Sequence, residues 1–379
     1  MKFRSRLKVD LKKIKHNCAE IRKISGNKEI LFMVKADAYG HGMIPVARFL
    51  YEEASVREFG CATLFEASEL REQLADLNFD IFVFSDVHLE EENALEHYLK
   101  KRLIPVISDL DFLEKILSSP ESRHLPISLK FNTGMNRLGI AEEYTISAIK
   151  LLKKFQRTEV HHLFTHFANA SKAFHLDEQC LNQYDRFLKI KKIFLDAGIH
   201  VQNFSCANSG ALTQKIGLDE CTHVRPGLSM FGLSSLDEEV NCEDYHGQVV
   251  SELQTHILKV FPVKKGMTVG YNSTPVLEDG VIAILGIGYG DGFFNRYSGA
   301  TVTHKGHRGF IFGRVSMDMT HVFFPNSAKN DIKAFDCVSL WGQSEGDFLN
   351  FSKECKIIPY EIFCALLPRV PRHYIDERL

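Results

Sequence analysis

Lys35 closes an apolar run, ILFMVK, and the chain then turns through ADAYGHG. An ammonium in apolar surroundings is normally paired, extended to water, or kept at a depressed pKa as an amine nucleophile. The residues that follow point toward chemistry. Two glycines allow a close backbone approach and Tyr39 offers a phenol, as a bound cofactor would need. Similar groups recur downstream. Arg137 follows a glycine turn in TGMNRLGI, His166 lies in HHLFTH, and Asn208-Ser209-Gly210 follows HVQNFSCA. In THVRPGLSMFGL, Arg225 precedes Pro226 and Gly227, a shape suited to backbone amides facing a phosphate with a guanidinium alongside. Singly, each has a plain structural reading: Arg137 as a surface ion pair, His166 as a hydrogen-bonded core histidine, Ser209 as a helix cap. Their common position after apolar runs is the stronger signal.

The elements that would place them alternate. Strand candidates are ILFMVK (30–35), GCATL (60–64), FDIFVFSD (79–86), RLIPVISD (102–109), LPISLKFN (125–132), EVHHLFTHF (159–167) and HVQNFSCAN (200–208). Between them, FEASELREQLADL and DRFLKIKKIFLDAG carry apolar residues at three- and four-residue steps, the helical period. Repeated βα units with nearly continuous apolar strands favour a closed (β/α)8 barrel over an open sheet, and barrel active sites assemble at the carboxyl ends of the strands. From about residue 240 the texture changes to Val-, Ile-, Phe- and Thr-rich segments split by Gly and Asn turns. We expect a barrel over residues 1–240 and a mainly-β domain over 241–379, divided near SSLDEEVNCEDYHG.

Composition narrows the partners. The chain has 379 residues, 45% hydrophobic and 25% charged, with a formal net charge of -2, so no field gathers nucleic acid or an anionic membrane. A small neutral or zwitterionic ligand suits it better. No signal-peptide core or membrane-length apolar run occurs, so a cytoplasmic location is expected. Nine cysteines without CxxC spacing read as reduced packing residues. His161 and His162 are adjacent in a strand and should face opposite ways, so no shared metal is expected.

The segments MVKADAYGHG, KFNTGMNRLGI, THFANAS, ANSGA, HVRPGLSMFGL, VGYNSTP, IGYGDGF, GRVSMDM and PRVPR together resemble the alanine racemase family. The resemblance implies an N-terminal barrel, a C-terminal β domain, and a homodimer whose active sites borrow residues from the partner's C-terminal domain. It implies interconversion of L- and D-alanine by two bases on a pyridoxal 5′-phosphate aldimine, supplying D-alanine for peptidoglycan. Lys35 resembles the cofactor-holding lysine and Tyr39 a phosphate contact. Tyr271 resembles the second base, His166 its hydrogen-bond partner, and Arg225 the arginine facing the pyridine nitrogen. Asn208, Ser209, Gly227 and Leu228 resemble phosphate-cradle positions. Arg137 and Met317 resemble groups that receive the substrate carboxylate, Lys130 a lysine carbamylated in many members that braces that arginine, and Tyr289 an entryway position.

Inverting an α-carbon requires removing a proton from one face and returning one to the other, so two flanking bases suit the task; Lys35 and Tyr271 would supply one each. A guanidinium at the pyridine nitrogen does not readily yield a proton, which moderates electron withdrawal. Tyrosine's pKa of about 10 calls for cationic neighbours, and His166 and Arg137 are expected to act so. The chain departs from the family in three places. Pro368 stands where many members have a tyrosine before RVPR, so one phosphate hydroxyl contact is expected to be absent. Ser316 precedes Met317 in place of a common cysteine, and Ser171 occupies an often acidic entrance position. Alternatives are a racemase of broader range acting on serine or lysine, or a barrel-type decarboxylase, against which Arg225 argues.

Overall fold

The computed structural model describes residues 3–85, 93–237, 240 and 244–376. Asp86, the last residue of the expected FDIFVFSD strand, and part of the expected boundary segment lie outside the described residues. The chain forms two compact units, one of residues 15–38 and 43–247, the other of residues 1–14, 39–42 and 248–379. The first strand, β1 (Ser5–Asp10), belongs to the second of these.

The first unit is the barrel. Its strands are β2 (Glu29–Met33), β3 (Glu58–Cys61), β4 (Asp80–Val83), β5 (Leu103–Ile107), β6 (Ser128–Asn132) with the short β7 (Ile140–Ala141) beside it, β8 (Glu159–Phe164), β9 (His200–Ser205) and β10 (His223–Val224). They run in the order β10-β2-β3-β4-β5-β6-β8-β9 with parallel pairing throughout. The ring is completed where Phe204 O accepts from Thr222 N and Ala207 O from Arg225 N, both at 3.0 Å, and Asn208 bridges Arg225 in parallel. Leu31, Phe82, Ile104, Val106 and Phe164 pack together as buried side chains from four strands. Burying side chains of this size is worth about 1.5–3 kcal/mol each.

Two sequence expectations shift. The run GCATL is a strand only to Cys61, because Thr63 starts the helix Leu64–Gln73. Thr63 Oγ1 accepts from Glu66 N (3.1 Å) while Glu66 Oε2 accepts from Thr63 N (3.2 Å), a reciprocal cap that ends the extended backbone. The eighth strand, His223–Val224, is too short to carry a periodic signal.

The segment after β2 is unusual. Lys35–Gly40 forms one helical turn in which Ala36, Asp37, Ala38 and Tyr39 all have φ between 51° and 55°, so the turn is left-handed. Left-handed helix costs L-residues roughly 1–2 kcal/mol each. Surrounding bonds hold it: Ala38 N donates to Val34 O (2.7 Å), Ala36 N to Glu66 Oε1 (2.8 Å) and Met43 N to Asp37 Oδ1 (2.7 Å).

In the second unit, β11 (Ser251–Val263) is the central strand, pairing with β1 and with later strands. After the small hairpin β12 (Thr268–Val269) and β13 (Thr274–Pro275) come β14 (Gly280–Leu285), β15 (Thr301–His304), β16 (His307–Ile311), β17 (Thr320–Pro325), β18 (Cys337–Trp341) and β19 (Arg372–Ile375). The order is β15-β16-β17-β14-β11-β1-β19, with β18 also on β11. Val263, Val269, Val276, Ile282, Phe312 and Phe323 form one of its buried clusters. The opening basic stretch therefore includes a strand of the β-rich unit, because Leu7 and Val9 alternate inward along it.

Gly40 is at a close approach within this unit. Its φ is 78°, and a Cβ there would lie 2.2 Å from Phe363 O. Changing Gly40 to alanine is expected to destabilise the fold by about 2–4 kcal/mol, read as a lower urea midpoint. Among the described residues no helix is long and apolar enough to cross a membrane.

Candidate active site

The barrel strands deliver the residues anticipated from the sequence to one end. Lys35 follows β2 and is partly buried; Lys130 is buried within β6; His166 follows β8; Asn208 and Ser209 follow β9; Arg225, Gly227 and Leu228 follow β10. Arg137 is exposed on the turn after β6. That turn is shaped by Asn132, whose Oδ1 accepts from Gly134 N (3.1 Å) and Asn136 N (3.0 Å). A Cβ on Gly139 would come within 2.6 Å of Asn132 N, so glycine lets the chain fold back here.

Arg225 is 4% exposed and, among the described residues, has no carboxylate partner. Its Nη1 donates to Ser205 Oγ and its Nη2 to Thr165 O, and the guanidinium lies 4.9 Å from the centre of the Phe164 ring. Ser205 Oγ also bonds His162 Nε2 at 2.8 Å, which continues the support inward. Burial pushes Arg225 down to about 10, so it stays protonated at neutral pH. Its Nε makes no hydrogen bond among the described residues, so that N–H is among the donors left for a ligand.

Two short helix starts meet at Ser209. Asn208 caps the helix Ser209–Thr213 through Oδ1 to Ala211 N (3.1 Å), so the cap is Asn208, not Ser209. Ser209 Oγ is approached by Gly227 N (2.9 Å), Ser229 N (3.4 Å) and Ser229 Oγ (3.1 Å). Three donors gather on an oxygen with two lone pairs, an excess that an anionic oxygen would satisfy. Gly210 permits the crowding, since a Cβ there would lie 2.2 Å from Ala170 O.

His166 is surrounded by cations. Burial first, then Arg225, Arg137, Lys130 and Lys35, hold its pKa well below the usual histidine value. With those groups unmodified the ring is therefore neutral near pH 7, against the expectation that it acts as a cation toward a phenol. The unfolded chain takes up this proton first as pH falls. The stability that depends on the neutral ring is complete above about pH 6.5 and is lost below it, by up to about 1.4 kcal/mol per pH unit. Denaturant midpoints measured from about pH 8 to 5 are expected to show this fall, flattened in His166→Asn.

Sequence reasoning missed two supports. Gln183, on the helix Glu178–Asp196, donates to His166 O (3.0 Å) and accepts from Ala168 N (2.9 Å), clamping the loop after β8. The residue type in an amphipathic helix gave no hint of it. The other lies in the β-rich unit, where Tyr39 is buried with its ring centre 5.8 Å from that of Tyr360. Burial raises both phenols, Tyr360 to about 12, so both are hydrogen-bonding neutral groups. Pro368 is exposed. The contact between Tyr39 and Tyr360 joins residues hundreds of positions apart and could not be read from spacing.

Also in the β-rich unit, Tyr271, Tyr289 and Met317 are exposed by 67%, 43% and 53%. Tyr271 opens a short turn with Asn272 and Ser273 at positive φ. Tyr289 N donates to Ser316 O and Gly290 N to Met317 O, each at 2.9 Å, so these two loops present their side chains together.

An amine, a buried arginine and a cradle of neutral donors, all following barrel strands at their carboxyl ends, mark the class of barrel enzymes that use pyridoxal 5′-phosphate. The chain belongs to the alanine racemase family: the family's N-terminal domain matches residues 9–235 and its C-terminal domain residues 250–374. It is 33% identical to an alanine racemase of Desulforamulus reducens, covering 97% of this chain and 98% of that one, and 31% identical to one of Staphylococcus carnosus, covering 98% and 95%. The biosynthetic alanine racemase of Pseudomonas aeruginosa superposes with a TM-score of 0.84 at 27% identity, over 99% of this chain and all of that one.

Proposed function

We infer that the protein interconverts L- and D-alanine with pyridoxal 5′-phosphate as cofactor. The observation that carries the reading is the carboxylate-free Arg225 held by Ser205 and Thr165 at the strand ends that also carry Lys35 and the Ser209 cradle. When bound, the cofactor withdraws electrons from the substrate's α-carbon and makes its proton acidic.

The chain's own groups do the rest. Lys35 Nζ would hold the cofactor and take or return the α-proton on one face. Tyr271 Oη of a second copy handles the proton on the other face. Arg225 would face the cofactor's ring nitrogen as a donor that does not give up its proton. Asn208, Ser209, Gly227, Leu228 and Tyr39 receive the phosphate, with Tyr360 beside Tyr39 as a further phenol. Arg137 and Met317 receive the substrate carboxylate, Lys130 as a carbamate braces Arg137, and Tyr289 lines the entryway. This division of labour makes the active unit a homodimer, with residues 241–379 completing the partner's site, and it explains why Tyr271, Tyr289 and Met317 are exposed on the single chain.

The test is chiral chromatography of L-alanine incubated with the purified, cofactor-loaded enzyme. An equal mixture of enantiomers is expected from either starting hand, with alanine turned over faster than serine or lysine. Faster equilibration of serine or lysine would instead favour the racemase of broader range.

A further inference from the structure

The opposite end of the barrel holds a second convergence of chemistry-bearing groups. Glu58 and Asp80 are the first residues of β3 and β4 and stand in register across that parallel pair. His161 reaches them from β8, and one donor atom of each residue lies within 4.8 Å of the other two. His162 does not share in this; it is committed to Ser205.

The hydrogen bonds around the trio fix where its lone pairs are. Gln202 Nε2 donates to Glu159 Oε1, so the amide oxygen of Gln202 is the atom 2.9 Å from His161 Nδ1. His161 therefore carries its proton on Nδ1, and the lone pair sits on Nε2, which is buried without a hydrogen-bond partner among the described residues. Glu58 repeats the pattern. Its Oε1 accepts from His223 Nε2 at 3.2 Å, while its Oε2 is buried and unpartnered. Two buried acceptors, one carboxylate oxygen and one imidazole nitrogen, thus share a cluster with a second carboxylate, and among the described residues neither has a donor. Buried polar atoms are otherwise almost always satisfied, and an unmet acceptor carries a desolvation cost.

A cation resolves this, and the surroundings are those of a metal ligand set. The imidazole donates its other N–H to an amide oxygen and the carboxylate is held by its second oxygen, as groups around metal-binding residues usually are. One imidazole nitrogen with two carboxylates suits zinc-like first-row ions better than calcium or magnesium, which take more oxygens. Bonds of about 2.0–2.1 Å require the donors to close by roughly an ångström. Asp80 is exposed, which gives an ion access from solvent and leaves room for a bound water.

We propose that Glu58, Asp80 and His161 form a structural site for one divalent transition ion, of the zinc and cobalt class, tying β3 and β4 to β8 at the barrel end remote from Lys35. The test uses untagged, cofactor-loaded enzyme stripped of metal and titrated with cobalt(II). One equivalent is expected to bind with visible d–d bands, and Asp80→Asn and His161→Gln each to weaken that binding by at least about tenfold to a hundredfold. Zinc is expected to raise the melting temperature of the unaltered enzyme and not of the variants, and racemase turnover to be the same in all three. The proposal is overturned if the bands are absent, or if Asp80→Asn binds cobalt as the parent does; that variant decides the matter should His161→Gln fail to fold.

Discussion

Lys35→Ala is expected to lower kcat/KM for alanine by about 10⁴-fold or more while leaving the protein folded. The amine has two tasks, holding the cofactor and moving the α-proton, and general acid–base transfer alone is commonly worth 10²–10⁴-fold. Folding should survive because the left-handed turn is held by other groups: Val34 O, Glu66 and Asp37 accept from Ala38, Ala36 and Met43. Chiral chromatography measures the loss and circular dichroism the fold. Partial recovery on adding a small primary amine would locate the defect in the missing amine, whereas a folded variant with near-parent turnover would remove Lys35 from the chemistry.

Tyr271→Phe is expected to cost about 10²–10⁴-fold in kcat with little change in stability or cofactor absorbance, since the side chain is 67% exposed and loses only a hydroxyl. Mixing carries the sharper test. Subunits of Lys35→Ala and Tyr271→Phe, dissociated and recombined, form hybrid dimers with one intact site if each site takes its lysine from one chain and its phenol from the other. Random pairing then restores about a quarter of the parent activity. Absence of recovery in proven hybrids would show that both residues act within one chain, and the shared-site dimer would have to be abandoned.

Much of the barrel was legible because buried parallel strands and amphipathic helices leave opposite signatures, continuous apolar runs against three- and four-residue periodicity. Where periodicity had too few residues to act, the reading failed: His223–Val224 is two residues long, and Ser5–Asp10 lay hidden in a basic stretch. The candidate catalytic groups were legible as residue types after strands. Their supports were not, because Gln183, Ser205, Thr165 and Tyr360 act through contacts whose partners are distant in the chain.

Charge state shows the same divide. From sequence, His166 was a titratable ring expected to be positive; only the convergence of Arg225, Arg137, Lys130 and Lys35 around it makes it neutral. Sequence also placed His161 and His162 on opposing faces, yet both rings pack against Phe82, at 5.6 and 5.8 Å. Their hydrogen bonds nevertheless go to separate partners, Gln202 for His161 and Ser205 for His162.

What the sequence by itself determined is the alternation of elements, the separate β-rich texture and the inventory of reactive groups at strand ends, because these depend on local periodicity and residue chemistry. What only the tertiary structure decided is the left-handed turn under Lys35, the neutral state of His166, the pairing of Tyr39 with Tyr360 and the acceptor-only trio of Glu58, Asp80 and His161. Each of these depends on desolvation and on fields from groups far apart in sequence, which exist only once the chain has closed on itself.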